Sequence, residues 1–190
     1  MPYSLALNII SDCWILFTVI WLVAAFWTKR SVYLERRGFL LYSLPLVVGV
    51  YLIFKGPRLS DPLSLRVIPH SDAGAWTGVV LCIAGLLFCI WARFTLGRNW
   101  SGVVTLKGGH ELITGGPYAL VRHPIYTGLL LMCVATVIVL GHVAGIIALP
   151  LVFVGLWIKL RQEEKLMFEK FPDEYEAYQR RVKRLIPFVL

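Results

Sequence analysis

Five long apolar segments limit what this chain can fold into more than any other feature of its sequence. They cover residues 5–27, 39–54, 73–92, 125–140 and 143–160. A membrane-spanning helix needs about 20 predominantly apolar residues, with a range of about 17–25. The composition agrees, because 58% of the residues are hydrophobic and 16% are charged, against about 45–50% and about 25% in soluble domains. The pattern predicts an all-α integral membrane protein and excludes a disordered chain or an ordinary cytosolic domain.

The last two apolar segments are separated only by Gly141 and His142. As one straight helix they would extend about 54 Å at about 1.5 Å per residue, whereas the hydrocarbon core of a membrane is about 30 Å thick. A turn at Gly141–His142 resolves this conflict. The sequence therefore predicts five transmembrane helices in a single membrane domain of residues 1–190, with the last two helices forming a hairpin.

Basic residues are distributed unevenly between the two sides of such a bundle. With the N-terminus outside, only Lys55, Arg58 and Arg66 lie outside, and the other 16 of the 19 Lys and Arg residues lie in the cytoplasm. Positive charge favours the cytoplasmic side. We therefore expect a multi-pass protein with a cytoplasmic C-terminus. The net charge of +8 then reflects topology and contact with membrane lipids, so we expect no nucleic-acid partner. The cytoplasmic charges of the first loop are Lys29, Arg30, Arg36 and Arg37.

The four cysteines lie in apolar segments and none has CxxC spacing, which predicts reduced, buried side chains. No metal site is expected.

Two polar segments on the predicted cytoplasmic side, residues 93–123 and 161–190, hold most of the ionisable residues. The first contains a glycine-rich stretch, residues 107–118, and ends in Arg122-His123-Pro124. Proline is favoured at the first position of a helix, and a helix N-terminus suits an anionic group. From these residues alone, a carboxylate or phosphate site and a basic helix end facing lipid headgroups remain equal alternatives.

Glu163 and Glu164 follow the fifth apolar segment in a run of good helix formers. Adjacent residues point about 100° apart on a helix, so one acid can face the bundle while the other faces water. Which of the two faces the bundle stays open. Beyond Phe171-Pro172, Tyr175 and Tyr178 fall at helical spacing in an amphipathic tail, which folds over the bundle or lies on the membrane.

The string Gly116-Pro117-Tyr118-Ala119-Leu120-Val121-Arg122-His123-Pro124-Ile125-Tyr126-Thr127-Gly128, followed by Glu163-Glu164, resembles the isoprenylcysteine carboxyl methyltransferase family. This family belongs to a wider group that includes phospholipid N-methyltransferases. Asn99-Trp100-Ser101 and Arg184-Leu185-Ile186-Pro187 add to the resemblance. The motifs place a methyltransferase core in residues 73–190, preceded by two spans and an outer loop in residues 1–72. The short chain is similar to prokaryotic members, so a bacterial or archaeal cell membrane is expected.

The resemblance implies an enzyme that uses S-adenosyl-L-methionine and releases S-adenosyl-L-homocysteine. It implies a cytoplasmic cofactor pocket between the last two helices, closed by the third loop and the C-terminal tail. The cofactor-binding residues that it implies are His123, Tyr118, Pro124, Tyr126, Leu129, Glu163 and Glu164. The catalytic residues that it implies are Arg184, Glu164 and Arg122, with Arg184 as the first and Arg122 as the second anchor for an acceptor carboxylate.

The methyl acceptor is expected to be lipophilic, either a prenylated, isoprenylcysteine-like carboxylate or another small lipid, and to enter from the bilayer. One alternative is a phospholipid or amine N-methyltransferase of the same group. A second alternative is an NADPH-dependent membrane reductase that shares the core. A non-enzymatic membrane module would need polar residues deep in several spans, and spans two to five contain almost none.

Overall fold

The computed structural model describes residues 1–28, 31–34, 38–107 and 111–189. The first-loop cations Lys29, Arg30, Arg36 and Arg37, and residues 108–110 of the glycine-rich stretch, lie outside the described residues. The described chain forms seven α-helices: α1 (Tyr3–Ala25), α2 (Phe39–Lys55), α3 (Asp61–Ser64), α4 (Asp72–Leu96), α5 (Pro124–Leu140), α6 (Val143–Lys170) and α7 (Pro172–Arg181).

Four of the described helices are long and apolar enough to cross a membrane: Tyr3–Ala25, Phe39–Arg58, Asp72–Asn99 and Val143–Lys170. Here the second and third include short 3-10 turns, Gly56–Arg58 and Gly97–Asn99. The fifth predicted span, α5, has 17 residues, or about 26 Å of helix, which is at the lower limit for a span. The structure therefore gives four span-length helices and a shorter fifth apolar helix.

Apolar side chains also cover the outside of these helices, as contact with lipid requires. Soluble monomers rarely expose large contiguous apolar patches. The chain is therefore an integral membrane protein. Side chains on α1, α2 and α4 that are more than half exposed include Leu22, Leu40, Leu41, Leu44, Val47, Val80 and Leu87.

The turn between α5 and α6 lies where the sequence predicted it. Gly141 adopts φ +70°, a left-handed conformation that glycine tolerates without strain. Its N–H donates to Val137 O at 2.8 Å, and its carbonyl accepts the N–H of Val67 at 2.8 Å. The outer loop thereby holds the turn in place.

The helices pack as two close pairs, α4 with α5 and α2 with α6. At Gly128 of α5, an added Cβ would lie 2.6 Å from Gly85 O of α4. At Gly155 of α6, it would lie 2.8 Å from Tyr42 O of α2. Small residues permit such close helix contacts in membranes. Because each helix of the hairpin packs on a different partner, α5 and α6 diverge from their turn and leave space between them.

A small antiparallel ribbon lies outside the long helices and was not predicted. It pairs β1 (Ser31–Leu34) with β2 (Thr105–Lys107) and so joins the first loop to the third. The membrane part of the fold is all-helical, as predicted. Strands of three and four residues are too short to give a periodic sequence signal.

The four cysteines are free and buried, as predicted.

Candidate functional site

A cavity of about 430 Å³ lies where α5 and α6 diverge. Its walls come from five of the helices, α1 and α4 to α7, and from the third loop. Its volume falls within the range of about 300–1,000 Å³ that is typical of small-molecule sites. Helix α7 and the third loop close the end of the cavity that lies beyond the membrane-spanning segments.

The segment after α7 is attached directly to the start of α5. The backbone N–H of Arg122 donates to Lys183 O at 2.7 Å, and that of His123 donates to Arg184 O at 3.0 Å. Thr127 Oγ1 then donates to Leu185 O at 2.8 Å. Pro124 begins α5, as predicted. These bonds fix the segment after α7 against the start of α5, behind the wall of the cavity.

Glu164 lies at the centre of a buried ionic network. Its Oε1 accepts from Arg122 Nε at 2.9 Å and from Arg122 Nη2 at 2.6 Å. Its Oε2 accepts from Arg184 Nε at 2.9 Å, and His123 Nε2 lies 3.3 Å from Oε1. Glu164 is only 5% exposed. This carboxylate therefore joins α6, the start of α5 and the tail.

Arg122 has little bonding capacity left for a ligand. Its third nitrogen, Nη1, donates to the backbone carbonyls of Val182 and Gln179. A guanidinium has five N–H donors in a fixed plane, and Glu164 with these carbonyls engages all three nitrogen atoms. Arg122 lines the cavity, but its charge is already paired.

Glu163 faces a different side of α6 from Glu164 and lines the cavity. Tyr126 Oη donates to Glu163 Oε1 at 2.6 Å, and His123 Nδ1 lies 3.7 Å from Glu163 Oε2. The His123 and Tyr126 rings are stacked, with 5.5 Å between their centroids. The alternative left open by the sequence thus has a geometric answer, in which Glu163 faces the cavity and Glu164 lies behind it.

The structure brings most of the sequence-predicted site residues to one cavity. Two of them, Glu164 and Arg184, do not line it but form the network behind its wall. Arg184 also packs over the ring of Trp157, with Cζ 5.5 Å from the ring centroid. The catalytic roles of Glu164 and Arg184 stay predictions. The predicted residues that do line the cavity are Tyr118, Arg122, His123, Pro124, Tyr126, Leu129 and Glu163.

The tyrosines of α7 pack into this wall. Tyr175 and Tyr178 are buried, and Tyr178 Oη donates to Tyr118 O at 2.6 Å. Burial raises the pKa of Tyr178 well above its usual value, and the Arg122 charge does not offset this. The phenol therefore stays protonated and holds α7 against the third loop.

Several cavity residues had no assigned role in the sequence analysis. Asn99 is buried, and its Oδ1 has no hydrogen-bond partner among the described residues. Lys159 is the only charged residue in the fifth apolar segment, and that isolation is a signal that could have identified it. Phe17 and Trp21 of α1 carry no local signal, because only packing brings the first helix to the cavity.

Arg93 holds α1 and α4 together beside the cavity. Its Nη2 donates to Ala24 O at 2.6 Å and its Nη1 to Gly97 O at 2.7 Å. Its Cζ lies 4.7 Å from the ring centroid of Trp100, which lines the cavity. A buried cation thus pairs with carbonyls at two helix C-termini, where positive charge is favourable, and supports an aromatic wall.

Known proteins share this core. The sequence profile of the isoprenylcysteine carboxyl methyltransferase family matches residues 78–169. A rice protein (Oryza sativa subsp. indica) named probable protein-S-isoprenylcysteine O-methyltransferase is 33% identical over 118 residues, covering 60% of this chain and 62% of that protein. A mouse (Mus musculus) protein-S-isoprenylcysteine O-methyltransferase is 30% identical over 116 residues, covering 60% and 41%.

A solved structure is also similar. The eukaryotic intramembrane Ras methyltransferase of this family superposes with a TM-score of 0.54 at 25% identity, covering 78% of this chain and 53% of that one. The chain spans less than two thirds of the length of these relatives. All three are eukaryotic proteins, so the prokaryotic origin stays a prediction. The matched region contains α5, the third loop and most of α6, which build the cavity, so this part of the chain is similar to the isoprenylcysteine carboxyl methyltransferase family.

Proposed function

We propose that this chain is an integral membrane methyltransferase that transfers a methyl group from S-adenosyl-L-methionine to a lipophilic acceptor. The observation that carries this proposal is a single cavity with two kinds of wall. His123 at the start of α5 and Glu163 on α6 supply polar groups. Phe17, Trp21 and Leu129 supply apolar surface from the spans. The relatives are named for isoprenylcysteine, and an isoprenylcysteine-like carboxylate combines a polar and an apolar part in the same way.

The polar wall fits the groups of S-adenosyl-L-methionine. Its carboxylate suits His123 and the positive end of the α5 dipole. Its ammonium or ribose hydroxyls suit the Glu163 carboxylate. The unpartnered Asn99 Oδ1 needs a donor, because a buried polar atom without one costs free energy. Tyr118, Tyr126 and Leu129 supply the faces that border an adenine.

The bound donor supplies a methyl group already activated by the sulfonium. The residues of this chain then need to position the acceptor and to exclude water. The network around Glu164 serves the first task, because it fixes the start of α5 and the tail. A carboxylate acceptor requires no general base.

Calorimetry tests the proposal directly. We expect the purified protein to bind S-adenosyl-L-homocysteine saturably and not to bind NADPH. Binding of NADPH in the absence of any S-adenosyl-L-homocysteine binding would instead support a membrane reductase.

The cytoplasmic placement of the site is part of the proposal and rests on the charge distribution. With five spans and the N-terminus outside, a cysteine at the exposed position of Ser60 is extracellular and one at Ala177 is cytoplasmic. An impermeant thiol reagent added to sealed cells should label the first and not the second. The four native cysteines are buried and give a low background. Equal labelling at the two positions would contradict this topology.

The acceptor enters the cavity sideways from the bilayer in this proposal. The α1 residues Phe17 and Trp21 supply part of the apolar wall. In liposomes, acceptors with one headgroup and longer apolar chains should show a lower apparent KM, because each buried methylene contributes about 0.8 kcal/mol to partitioning. Equal turnover of a short, water-soluble analogue and a long-chain acceptor would contradict entry from the membrane.

A further inference from the structure

Lys159 lies in the cavity wall, one helical turn before Glu163 on α6. Its Nζ donates to Gly102 O of the third loop at 2.8 Å. The ammonium also lies 5.6 Å from the ring centroid of Tyr42 and 5.5 Å from that of Tyr126. Contacts with α2, α5 and the third loop therefore fix the position of this cation.

The ammonium retains bonding capacity that Arg122 lacks. It has three N–H donors, and within the described residues one is taken by Gly102. Arg122 is paired with Glu164 and two carbonyls, and Arg184 pairs with Glu164 behind the wall. Lys159 is thus the cavity cation best able to accept a new anionic partner.

Glu163 is not the anionic partner of Lys159. Its Oε1 accepts from Tyr126 and its Oε2 lies near His123, and in the described part of the chain no Lys159–Glu163 pair lies within salt-bridge distance. The two residues are four positions apart, or about 6 Å along the helix axis, with Lys159 nearer the apolar part of α6. The cavity therefore presents an acid at its polar end and a cation toward the membrane.

We propose that Lys159 is a positioning residue that binds the carboxylate of the acceptor and makes the cavity select anionic over amine acceptors. This inference rests on the proposed methyltransferase function. The acceptor's apolar chain would then lie along the span, and its carboxylate would meet Lys159 where apolar surface ends. An ammonium at this position repels a cationic amine, so the amine N-methyltransferase alternative fits this cavity less well.

The reaction changes the charge that Lys159 contacts. One carboxylate oxygen bonds to the methyl carbon while the carbon–sulfur bond of the donor breaks. A neutral methyl ester and a neutral thioether result, with no proton transferred. The ion pair with Lys159 is thus strongest before reaction and is lost in the ester. Lys159 should lower KM without raising kcat, since it stabilises the bound substrate more than the transition state.

The test uses two probes that differ only in charge, N-acetyl-S-farnesylcysteine and its carboxamide, with the full-length protein in nanodiscs. We expect the native protein to bind the carboxylate about tenfold to a hundredfold more tightly, as for a charge-assisted hydrogen bond. Lys159→Gln keeps a donor for Gly102 but removes the charge, so it should abolish this preference and raise KM without lowering kcat. Lys159→Arg should restore the preference.

Lys165→Gln is the matched control, because Lys165 lies on the same helix with a side chain that is 79% exposed. It should leave the preference for the carboxylate unchanged. Binding of S-adenosyl-L-homocysteine should be the same in native protein and in Lys159→Gln. A Lys159→Met variant with a melting temperature equal to that of the native protein would separate loss of charge from loss of folding.

Three results would overturn the inference. The first is a native protein without a preference for the carboxylate, which includes binding of neither probe. The second is a preference that survives Lys159→Gln, and the third is a loss of S-adenosyl-L-homocysteine affinity in Lys159→Gln as large as the loss of carboxylate affinity. The last result would place Lys159 in the donor site. Failure of the proposed function is recognised separately, because the native protein would then not bind S-adenosyl-L-homocysteine.

Discussion

Glu163 and Glu164 are neighbours in the chain and lie in two different regions of the molecule. Glu164 has a side chain that is 6% exposed and is surrounded by Arg122, Arg184 and His123. Glu163 has a side chain that is 26% exposed and faces the cavity, where Tyr126 holds it. The carboxylate behind the wall is fully paired, whereas the cavity keeps charges that a ligand can still contact.

Two adjacent acids can therefore have two separate roles. A fully paired carboxylate stabilises the walls but offers little to a ligand. A carboxylate with one neutral donor keeps its charge available. His123 contacts both acids and so connects the two regions. The comparison can be tested by changing each acid and each shared partner separately.

The largest effect is expected from Glu164→Ala. It leaves Arg122 buried without its carboxylate and breaks the attachment of the tail through Arg184. Removing one partner of a buried ion pair costs about 3–5 kcal/mol, so the free energy of unfolding should fall by that amount. Denaturant titration in detergent micelles measures it.

The control for this change is Glu169→Ala, on the same helix, where the side chain is 59% exposed and pairs only loosely with Lys165. This control should change the free energy of unfolding by no more than about 0.5 kcal/mol. Equal stability of the Glu164→Ala variant and the native protein would remove the distinction between the two acids.

His123→Ala should have the next largest effect, on binding of S-adenosyl-L-homocysteine. It removes a donor to a charged group, worth about 1.5–3 kcal/mol, which is about tenfold to a hundredfold in affinity. Calorimetry measures the dissociation constant. The control His70→Ala removes an exposed histidine of the outer loop and should bind S-adenosyl-L-homocysteine with native affinity. A native affinity in His123→Ala would mean that the polar wall is assigned to the wrong residues.

Glu163→Gln sharpens the comparison because it should affect ligand binding and not stability, the reverse of what is expected for Glu164→Ala. The amide oxygen still accepts a hydrogen bond from Tyr126, so the free energy of unfolding should change by no more than about 0.5 kcal/mol. Loss of the charge should weaken S-adenosyl-L-homocysteine binding by about 1 kcal/mol, or roughly fivefold. The same sample serves for calorimetry and denaturation. A variant that loses stability but keeps its affinity would reverse the roles given to the two acids.

The smallest effect is expected from Tyr126→Phe. It removes the hydroxyl that donates to Glu163 at 2.6 Å and keeps the ring that stacks on His123. A single hydrogen bond contributes about 0.5–1.5 kcal/mol. Because this bond acts on the ligand only through Glu163, affinity for S-adenosyl-L-homocysteine should fall by about twofold, or about 0.5 kcal/mol. Tyr51→Phe changes an exposed tyrosine of α2 and provides the matched comparison, with no change expected. An unaltered affinity in Tyr126→Phe would show that Glu163 needs no orienting donor.

Much of the architecture could be predicted from the sequence because it depends on local properties. Hydropathy located all five apolar helices, with bounds within a few residues of the observed ones except at the end of α6. Pro124 marked the start of α5, Gly141 marked the turn, and the good helix formers after Leu160 predicted that α6 continues beyond the span. The motif residues His123, Tyr126 and Glu163 lie close together in the structure, and their roles stay predictions.

Only the tertiary structure assigned separate positions to the residues of that motif. Local sequence places Glu163 and Glu164 about 100° apart, but the direction of each depends on how α6 packs against α2 and where α5 and the tail lie. The same holds for Phe17 and Trp21, which reach the cavity because α1 packs on α4. Hydropathy and helix signals act over a few residues and fix the elements. Contacts between residues far apart in sequence fix the rotation of each helix, and that rotation determines which charges are paired and which remain for a ligand.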